Sequence, residues 1–311
     1  MSPASSSAAS GPWLVVGTVP DESIGLLSGP CALTDGGIAL GGALLPVRRG
    51  TPALLAAACS ACQFLGIAPP LALLAGDAGR GEGSRKAYDV LLDMLPGLEP
   101  CGLTFHYLFP DLAGHDRVLL AIQSLPRAPL LVADAGFMYA AKMSGQAAAY
   151  DLFTPDAGEL AFLADELAPH PFYTRGFLLG LDASTTELAR RAWESGGAAT
   201  YLLVKGEIDR IVHRGESLAE ISEPQTPVME AIGGTGDTLT GMITALLMAG
   251  RSIPAACALA ALANRLLGVL ARPTPATSVA ELVAHVPEAL RRAEGQTVSD
   301  QRCEALELEK R

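Results

Sequence analysis

A glycine-rich turn that leads into an apolar helical pattern is the part of this sequence best suited to chemistry. Gly233, Gly234, Thr235 and Gly236 precede Asp237, and the helical pattern follows at once. Glycines let several main-chain N–H groups converge on one point, and the helix aims its positive dipole end there. The turn therefore predicts a phosphate site. A carboxylate at its rim repels phosphate, so Asp237 is predicted to serve in proton transfer or in charge stabilisation beside the phosphate.

A plain helix start with an acidic first turn is the structural alternative for this segment. The doubled glycine and the two threonines, Thr235 and Thr238, favour the functional interpretation.

A single lysine follows an apolar run that is typical of a strand. Lys205, followed by Gly206, is the only lysine between Lys142 and Lys310. At the end of a strand it can reach a nucleotide phosphate as a point charge. A solvated strand end is an equally good explanation from position alone.

Two further strand ends carry polar residues suited to a substrate side. Asp134 closes one apolar run, and the turn from Thr154 through Asp156 to Glu159 closes another. Helix capping by Thr154 explains most of the second turn, with Pro155 in the first helical position. Capping leaves the role of Glu159 open.

The loop Gly76–Gly83 also follows an apolar run and precedes a helical pattern. Its spacing does not fit G-x-G-x-x-G, and no Walker lysine follows. A flexible loop is predicted. Its place at the carboxyl edge of the sheet leaves open that Asp77 and Arg80 face a ligand.

Length and composition limit the class of protein. The chain has 311 residues, 50% hydrophobic, with a mean hydropathy of +0.31 and a net charge of −11. These values predict one large α/β domain rather than two small ones. A nucleic-acid partner is not expected, because neutralising phosphates needs clustered basic residues.

Six scattered cysteines include one C-x-x-C pair, Cys59 and Cys62, within an apolar, small-residue helical pattern. Core thiols are the preferred interpretation, ahead of a redox or metal pair. The opening ten residues are polar, lack the pattern of a signal peptide and are predicted to be disordered. No uninterrupted apolar run predicts a membrane span, so a cytoplasmic location is expected.

Apolar, β-branched runs alternate with helical patterns, which predicts βαβ units and a mainly parallel sheet. The predicted strands are Trp13–Gly17, Leu71–Ala75, Leu103–Leu108, Leu130–Ala133, Leu152–Thr154, Thr200–Lys205 and Arg210–His213. The predicted helices are Ala53–Leu65, Arg85–Leu95, Asp116–Ser124, Gly158–Glu166, Ser184–Glu194, Thr238–Ala249, Ala255–Ala271 and Val279–Arg292.

Three segments complete the predicted organisation: a disordered stretch 1–10, one domain over 11–294 and a mobile charged tail over 295–311. Within the domain, the glycine-rich residues 21–50 fit either hairpins or a lid.

Taken in order, these motifs resemble a known family, the ribokinase-like ADP/ATP-dependent NAD(P)H-hydrate dehydratases. The resemblance rests on Asp134-Ala-Gly, the Thr154–Glu159 turn, Val204-Lys-Gly, the Asp237 motif and the small-residue helix Ala255–Leu270. It runs colinearly from about Gly50 to Arg292. It implies a three-layer α/β/α sandwich that uses ATP or ADP with Mg²⁺ to phosphorylate and expel a hydroxyl, restoring NADH or NADPH.

The resemblance also implies roles for individual residues. Gly233 to Gly236 would bind the transferred phosphate, and Asp237 would be the base. Lys205 and Gly206 would lie on the nucleotide side. Asp134 and the Thr154–Glu159 turn would face the substrate or the metal. The expected partners are a nucleotide and a small molecule, and a homo-oligomer stays open.

Three departures from the family pattern fall in the acceptor half of the predicted site, the part that would bind the substrate rather than the nucleotide. Asp156 and Ala157 replace the family's His and second Pro, Gly136 replaces an Asp, and Phe109–Gly114 only faintly matches a Gly-Pro-Gly-Leu-Gly loop. Repair dehydratase and kinase of another small molecule, such as a sugar or vitamin precursor, both remain open. A nucleotide-binding regulator without turnover is the third hypothesis, and Asp237 argues against it.

Overall fold

The strands of the computed structural model, which describes residues 11–168 and 184–296, follow the predicted alternation with helices. The strands are β1 (Trp13–Val19), β2 (Leu26–Thr34), β3 (Gly37–Leu40), β4 (Ala43–Leu45), β5 (Leu71–Gly76), β6 (Gly102–His106), β7 (Leu130–Asp134), β8 (Leu152–Phe153), β9 (Tyr201–Val204), β10 (Asp209–His213) and β11 (Glu216–Ile221). The predicted disorder of residues 1–10 and nearly all of the predicted tail fall outside the described residues.

Nine helices with defined bounds accompany these strands in the described part of the chain. They are α1 (Thr51–Leu65), α2 (Glu82–Leu98), α3 (Leu112–Gln123), α4 (Gly136–Met143), α5 (Ala157–Ala164), α6 (Thr185–Glu194), α7 (Thr235–Met248), α8 (Ile253–Ala271) and α9 (Val279–Val283).

Tertiary contacts divide the described residues into two compact units. The first comprises 11–30, 70–168, 184–202 and 213–216, and the second comprises 31–69, 203–212 and 217–296. Strands β2 and β9 each pass from one unit to the other.

A mainly parallel sheet forms the centre of the first unit, with strands in the order β9-β8-β7-β6-β1-β5-β2. Strand β1 is buried along its whole length and pairs in parallel with β5 and β6, so that Val16 lies beside Leu73 and Phe105. Strand β2 runs antiparallel to β5 in this unit. Helix α2 packs on β1 and β5, and α4 packs on β6 and β7. A parallel sheet is apolar on both faces, so helices must cover it.

The second unit is built around the contact between α1 and α7. Gly241 of α7 permits the close approach, because a Cβ there would lie 2.2 Å from the carbonyl oxygen of Leu54 in α1. Helices α8 and α9 also pack on α7. Residues 31–45 of this unit form the antiparallel ladders β2–β3 and β3–β4. The alternative of hairpins for residues 21–50 is therefore the one that the structure adopts.

The predicted α/β class is confirmed, and the departures from the predicted elements are local. Helix α4 was not predicted, because it is only eight residues long and follows Asp134 directly. The predicted helix Val279–Arg292 is interrupted at residues 284–285 and resumes over 286–296. The strand predicted over Leu103–Leu108 ends at His106, since Tyr107 turns to a left-handed φ of 54°.

One described helix, α8, is long and apolar enough to cross a membrane by length and composition alone. It packs on α7 and α9, and its Arg265 hydrogen-bonds within the second unit. The core helix of a globular domain has the same composition, so the length and composition of α8 are only weak evidence for a membrane span.

Candidate functional site

The glycine turn of the second unit forms the N-terminus of α7, as the sequence predicts. Gly234 is the N-cap residue, with φ 104°, and Thr235 begins the helix. A Cβ on Gly234 would lie 3.2 Å from Arg49 Cα and 3.2 Å from Val279 Cβ. Only glycine therefore fits this position without strain. The main-chain N–H groups of the first turn have no helical partners and point out of the helix.

Asp237 lies in the first turn of α7, three residues after the N-cap, and is only 7% exposed. Its Oδ2 accepts a hydrogen bond of 2.5 Å from the main-chain N–H of Gly50. Gly50 has a left-handed φ of 71° and is itself the N-cap of α1. Asp237 therefore lies where two helix N-termini meet.

A cavity of about 320 Å³ opens beside the turn, within the same unit. The turn contributes Thr235 and Gly236, and the end of β9 contributes Lys205 and Gly206. Apolar side chains cover another part of the wall, from Pro224, Pro227, Met229 and Leu239. The cavity thus combines a polar, cationic part with an apolar part, the combination that ligand pockets commonly have.

Lys205 faces the glycine turn from the end of β9. A Cβ added to Gly236 would lie 3.6 Å from Lys205 Nζ and 3.6 Å from its Cδ. The missing side chain at Gly236 therefore leaves a space bounded by an ammonium group and a helix N-terminus. Such a space suits an anion.

Arg265 of α8 fixes the turn after β9. Its guanidinium donates to the carbonyl oxygens of Gly206, Glu207 and Ser222, at 3.1, 2.8 and 2.8 Å, and to Asp209 Oδ2 at 2.9 Å. Asp209 Oδ1 in turn accepts from the N–H of Gly206 at 3.2 Å. Burial raises the pKa of Asp209 against the opposing effect of Arg265. The pair holds the backbone beside Lys205 in one conformation.

Asn264 joins the cavity wall to the first turn of α7. The hydroxyl oxygen of Thr238 lies 2.8 Å from Asn264 Oδ1 and 2.8 Å from the Thr235 carbonyl oxygen, and its one proton can be donated to either of them. Asn264 also lines the cavity, where its amide group can face a ligand.

The predicted substrate-side residues belong to the first unit. Asp134 ends β7 and is 2% exposed; its Oδ1 accepts from the N–H of Ala135 at 2.8 Å. Its Oδ2 lies 3.9 Å from Nε2 of His106, a fully buried histidine at the end of β6. The parallel register of the two strands pairs these two residues directly. His106 was not predicted as a site residue, because its neighbour on β7 cannot be recognised from the sequence.

Close packing explains why position 136 holds a glycine where the resembled family has an aspartate. A Cβ on Gly136 would lie 2.1 Å from the carbonyl oxygen of Leu108. A second aspartate therefore cannot replace Gly136 unless the backbone near Leu108 moves.

The turn after β8 is a capping box. Asp156 Oδ1 accepts from the N–H of Glu159 at 2.8 Å, and Glu159 Oε2 accepts from the N–H of Asp156 at 2.8 Å. Glu159 Oε1 accepts from the hydroxyl of Tyr139 at 2.9 Å. Thr154 is fully buried just before this turn, and capping involves Asp156 rather than Thr154. Both oxygens of Glu159 are thus hydrogen-bonded within the protein.

The loop Gly76–Gly83 encloses the carboxylate of Asp77. Asp77 Oδ1 accepts from the N–H groups of Gly79, Arg80 and Gly81, each at 3.0 Å. Its Oδ2 accepts from the N–H and the hydroxyl of Ser84, at 2.9 and 2.8 Å. Although burial raises it, these hydrogen bonds hold the pKa of Asp77 below its usual value. The loop therefore binds its own carboxylate where a fingerprint loop would bind a phosphate.

The six residues predicted for phosphate and nucleotide all belong to the second unit, as does Asp237. The cavity wall includes Lys205, Gly206, Thr235 and Gly236 among them. Asp134, Thr154, Asp156 and Glu159 belong to the first unit.

Three polar residues near the glycine turn or the cavity in the second unit were not predicted as site residues: Arg49, Asn264 and Arg265. The adjacent Asn264 and Arg265 interrupt an otherwise apolar helix, and that interruption was the available signal. Within 11–168 and 184–296, no group of three or more His, Cys, Asp or Glu side chains is arranged to hold a metal ion.

This chain is similar to several known proteins. The family model described as NAD(P)H-hydrate dehydratase matches residues 116–287. An uncharacterized protein of Methanocaldococcus jannaschii, MJ1337, is 38% identical over 216 residues, covering 69% of this chain and 88% of that protein. The bifunctional NAD(P)H-hydrate repair enzyme Nnr of Hyperthermus butylicus is 38% identical over 117 residues. That match covers 36% of this chain and only 21% of the enzyme.

A solved structure with the same fold is that of Escherichia coli phosphofructokinase-2 in complex with fructose-6-phosphate. It superposes with a TM-score of 0.50 at 14% identity and covers 90% of this chain and 99% of that one. The likeness confirms the predicted ribokinase-like fold and says nothing about the substrate.

Proposed function

Because the chain belongs to the NAD(P)H-hydrate dehydratase family, an enzyme family of the carbohydrate-kinase-like superfamily, we propose that it transfers a phosphoryl group from ATP or ADP to a small hydroxylated molecule. The observation that carries this proposal is the position of Asp237. Its carboxylate lies in the first turn of α7 and is hydrogen-bonded to the N–H of Gly50.

The nucleotide is proposed to occupy the cavity beside the glycine turn. Its apolar wall, with Pro227, Met229 and Leu239, suits a base. Another part of the wall, with Lys205 and the turn at Gly236, suits phosphates. A volume of about 320 Å³ lies at the lower end of the usual range for small-molecule pockets.

Asp237 would accept the proton of the substrate hydroxyl as the new O–P bond forms and the bond to the leaving nucleotide breaks. The main-chain N–H groups at the start of α7 and the ammonium group of Lys205 would stabilise charge on the transferred phosphoryl group. Lys205 keeps this role only while Arg265 and Asp209 hold the turn beside it.

Mg²⁺, when bound together with a nucleotide, neutralises the charge of the phosphates. The described residues offer single carboxylates instead of a cage of ligands. That pattern fits Mg²⁺, which commonly binds through one or two carboxylates together with substrate phosphates. Glu159 remains the predicted carboxylate, although Tyr139 and Asp156 already donate hydrogen bonds to its oxygens.

The preferred reaction is the repair of hydrated NADH or NADPH. Phosphorylation of the added hydroxyl converts it into a phosphate leaving group, and elimination of phosphate then restores the double bond of the reduced nicotinamide. The family membership of residues 116–287 supports this choice.

A small-molecule kinase is the second candidate, and the acceptor half of the first unit favours it. Position 136 holds a glycine that cannot become an aspartate without a clash with Leu108. Asp156 replaces the family's histidine and is committed to the capping box with Glu159. An additional carboxylate close to a dinucleotide's pyrophosphate is unfavourable, by about 1–4 kcal/mol at surface-like dielectrics. A less anionic acceptor avoids that repulsion.

Incubation of the full chain with hydrated NADH and Mg²⁺, with either ATP or ADP, separates these candidates. Recovery of NADH absorbance with nucleotide consumption supports the dehydratase. Nucleotide consumption without NADH, seen when candidate alcohols are supplied instead, supports the kinase. Nucleotide binding without any turnover in either assay contradicts both and favours the regulator. The Asp237→Asn protein is the matched control for contaminating activity.

A further inference from the structure

We propose that Cys31 and Cys59 form an oxidisable dithiol, which a peroxide converts reversibly into an intramolecular disulfide. The sulfur atoms of the two reduced cysteines are 3.6 Å apart in the second unit. Cys31 comes from β2 and Cys59 from the middle of α1, so the contact joins two elements that are distant along the chain.

Strand β2, which carries Cys31, pairs along its backbone with β5 and β3 but buries a single side chain. Cys31 is the only buried residue among the nine of β2, whose remaining residues are half-buried or exposed. An apolar side chain would serve packing alone at such a position. A thiol that meets a second thiol there adds a chemical possibility that packing does not require.

Access for a small oxidant distinguishes this pair from the deeper cysteines. Cys31 is 4% exposed and Cys59 is 5% exposed, whereas Cys62 and Cys257 are fully buried. The contact with Cys59 lowers the pKa of Cys31, and the same contact raises that of Cys59. Cys31 is therefore the thiol that reacts first, since the thiolate is the reactive form.

The chemistry balances with hydrogen peroxide as the oxidant. The Cys31 thiolate attacks one peroxide oxygen, the O–O bond breaks, and a sulfenic acid and water result. The Cys59 sulfur then attacks the Cys31 sulfur, the S–S bond forms, and a second water leaves with the thiol proton. Two thiols thus lose two electrons and two protons, and one peroxide becomes two waters.

The disulfide would close a loop of the chain that contains Gly50, the hydrogen-bond donor to Asp237. The chain between Cys31 and Cys59 contains β3, β4, Arg49 and the Gly50 whose N–H donates to Asp237. Closing this loop restricts the unfolded chain and stabilises the second unit. Oxidation would therefore tighten the segment that anchors the proposed base.

Differential alkylation of the full-length protein tests the proposal without any activity assay. The reduced protein is treated with excess hydrogen peroxide, the peroxide is removed, and the unfolded chain is alkylated and mapped by mass spectrometry. We expect two fewer alkylated cysteines, a linked peptide pair containing Cys31 and Cys59, and full recovery after dithiothreitol. We expect the melting temperature of the oxidised form to rise by roughly 5 °C.

Single serine variants provide the controls. Cys31→Ser and Cys59→Ser should each abolish the linked pair and the rise in melting temperature. Cys257→Ser removes a fully buried thiol that lacks a sulfur partner among the described residues, and should retain both effects. Complete alkylation of Cys31 and Cys59 after oxidation, or a link that joins Cys59 to Cys62 instead, would overturn the proposal.

Discussion

The main-chain N–H of Gly50 donates a hydrogen bond of 2.5 Å to Asp237 Oδ2. The two residues are 187 positions apart in sequence, and each lies at the N-terminal end of a helix. Because Gly50 has a φ of 71°, any side chain at position 50 would strain the backbone that carries this donor. The orientation of the proposed base thus depends on how α1 and α7 pack.

Replacing Asp237 by asparagine should remove turnover while leaving nucleotide binding. Asparagine can still accept the hydrogen bond from Gly50, but it cannot take a proton at neutral pH. General-base removal costs about 10²–10⁴ in rate. Steady-state turnover and calorimetric titration with nucleotide measure the two effects.

Asp93→Asn is the matched control for that variant, because it makes the same change at an exposed carboxylate of α2, outside the cavity wall. It should turn over at nearly the wild-type rate. If Asp237→Asn also kept the wild-type rate, Asp237 would not be the base.

Gly234 and Gly236 should respond differently to substitution. Gly234→Ala forces a Cβ onto a φ of 104° and against Arg49, which should cost roughly 1–3 kcal/mol of stability. Gly236→Val meets no left-handed φ, and its added side chain points toward Lys205 into the proposed anion space. It should weaken ATP binding with little change in melting temperature. Calorimetry and thermal unfolding separate the effects, and unchanged ATP affinity in Gly236→Val would place the phosphates elsewhere.

The sequence predicted the central strands and most helices because their patterns are local. Buried β1 is a continuous apolar run, and α7 follows a glycine turn and an acidic first turn. Residues 26–45 gave no such signal, because β2 is largely exposed and only Cys31 points inward. Strand order within a unit depends on contacts between distant segments and could not be derived.

Removing the guanidinium of Arg265 should destabilise the second unit strongly. Arg265→Met leaves Asp209, which is 6% exposed, without its cation, and breaking a buried pair costs about 3–5 kcal/mol. Adding Asp209→Asn should recover part of that loss, since the isolated charge disappears. Denaturant unfolding of the two single variants and the double variant gives the coupling. Strictly additive losses would mean that the two side chains do not act as a pair.

The carboxylate of Asp77 should make stability depend on pH in acid. Its pKa is lowered in the folded protein, so its contribution is present above the unfolded value near 3.8. That contribution is lost as pH falls through the folded value. Asp77→Asn should be less stable than wild type by about 1–3 kcal/mol near neutrality, and the difference should shrink below pH 4. Melting curves across this range provide the test, and a constant difference would contradict the role of ionisation.

The candidate site could be predicted where the interacting residues lie close together in one segment of the sequence. The turn from Gly233 to Asp237 is such a segment. Arg49 and Arg265 were missed because they reach the turn and the cavity from other elements. The capping box likewise explains why Asp156 and Glu159 form a plausible motif before any ligand is considered.

The loop Gly76–Gly83 binds the carboxylate of Asp77, and this internal contact should affect hydrogen exchange of the loop amides. The amide hydrogens of Gly79, Arg80, Gly81 and Ser84 are all engaged by one carboxylate of the same protein. Their protection should therefore be the same before and after nucleotide is added, while slower exchange on ligand binding is expected at the glycine turn of α7. The loop becomes an internal reference against which ligand-dependent protection elsewhere in the molecule is read.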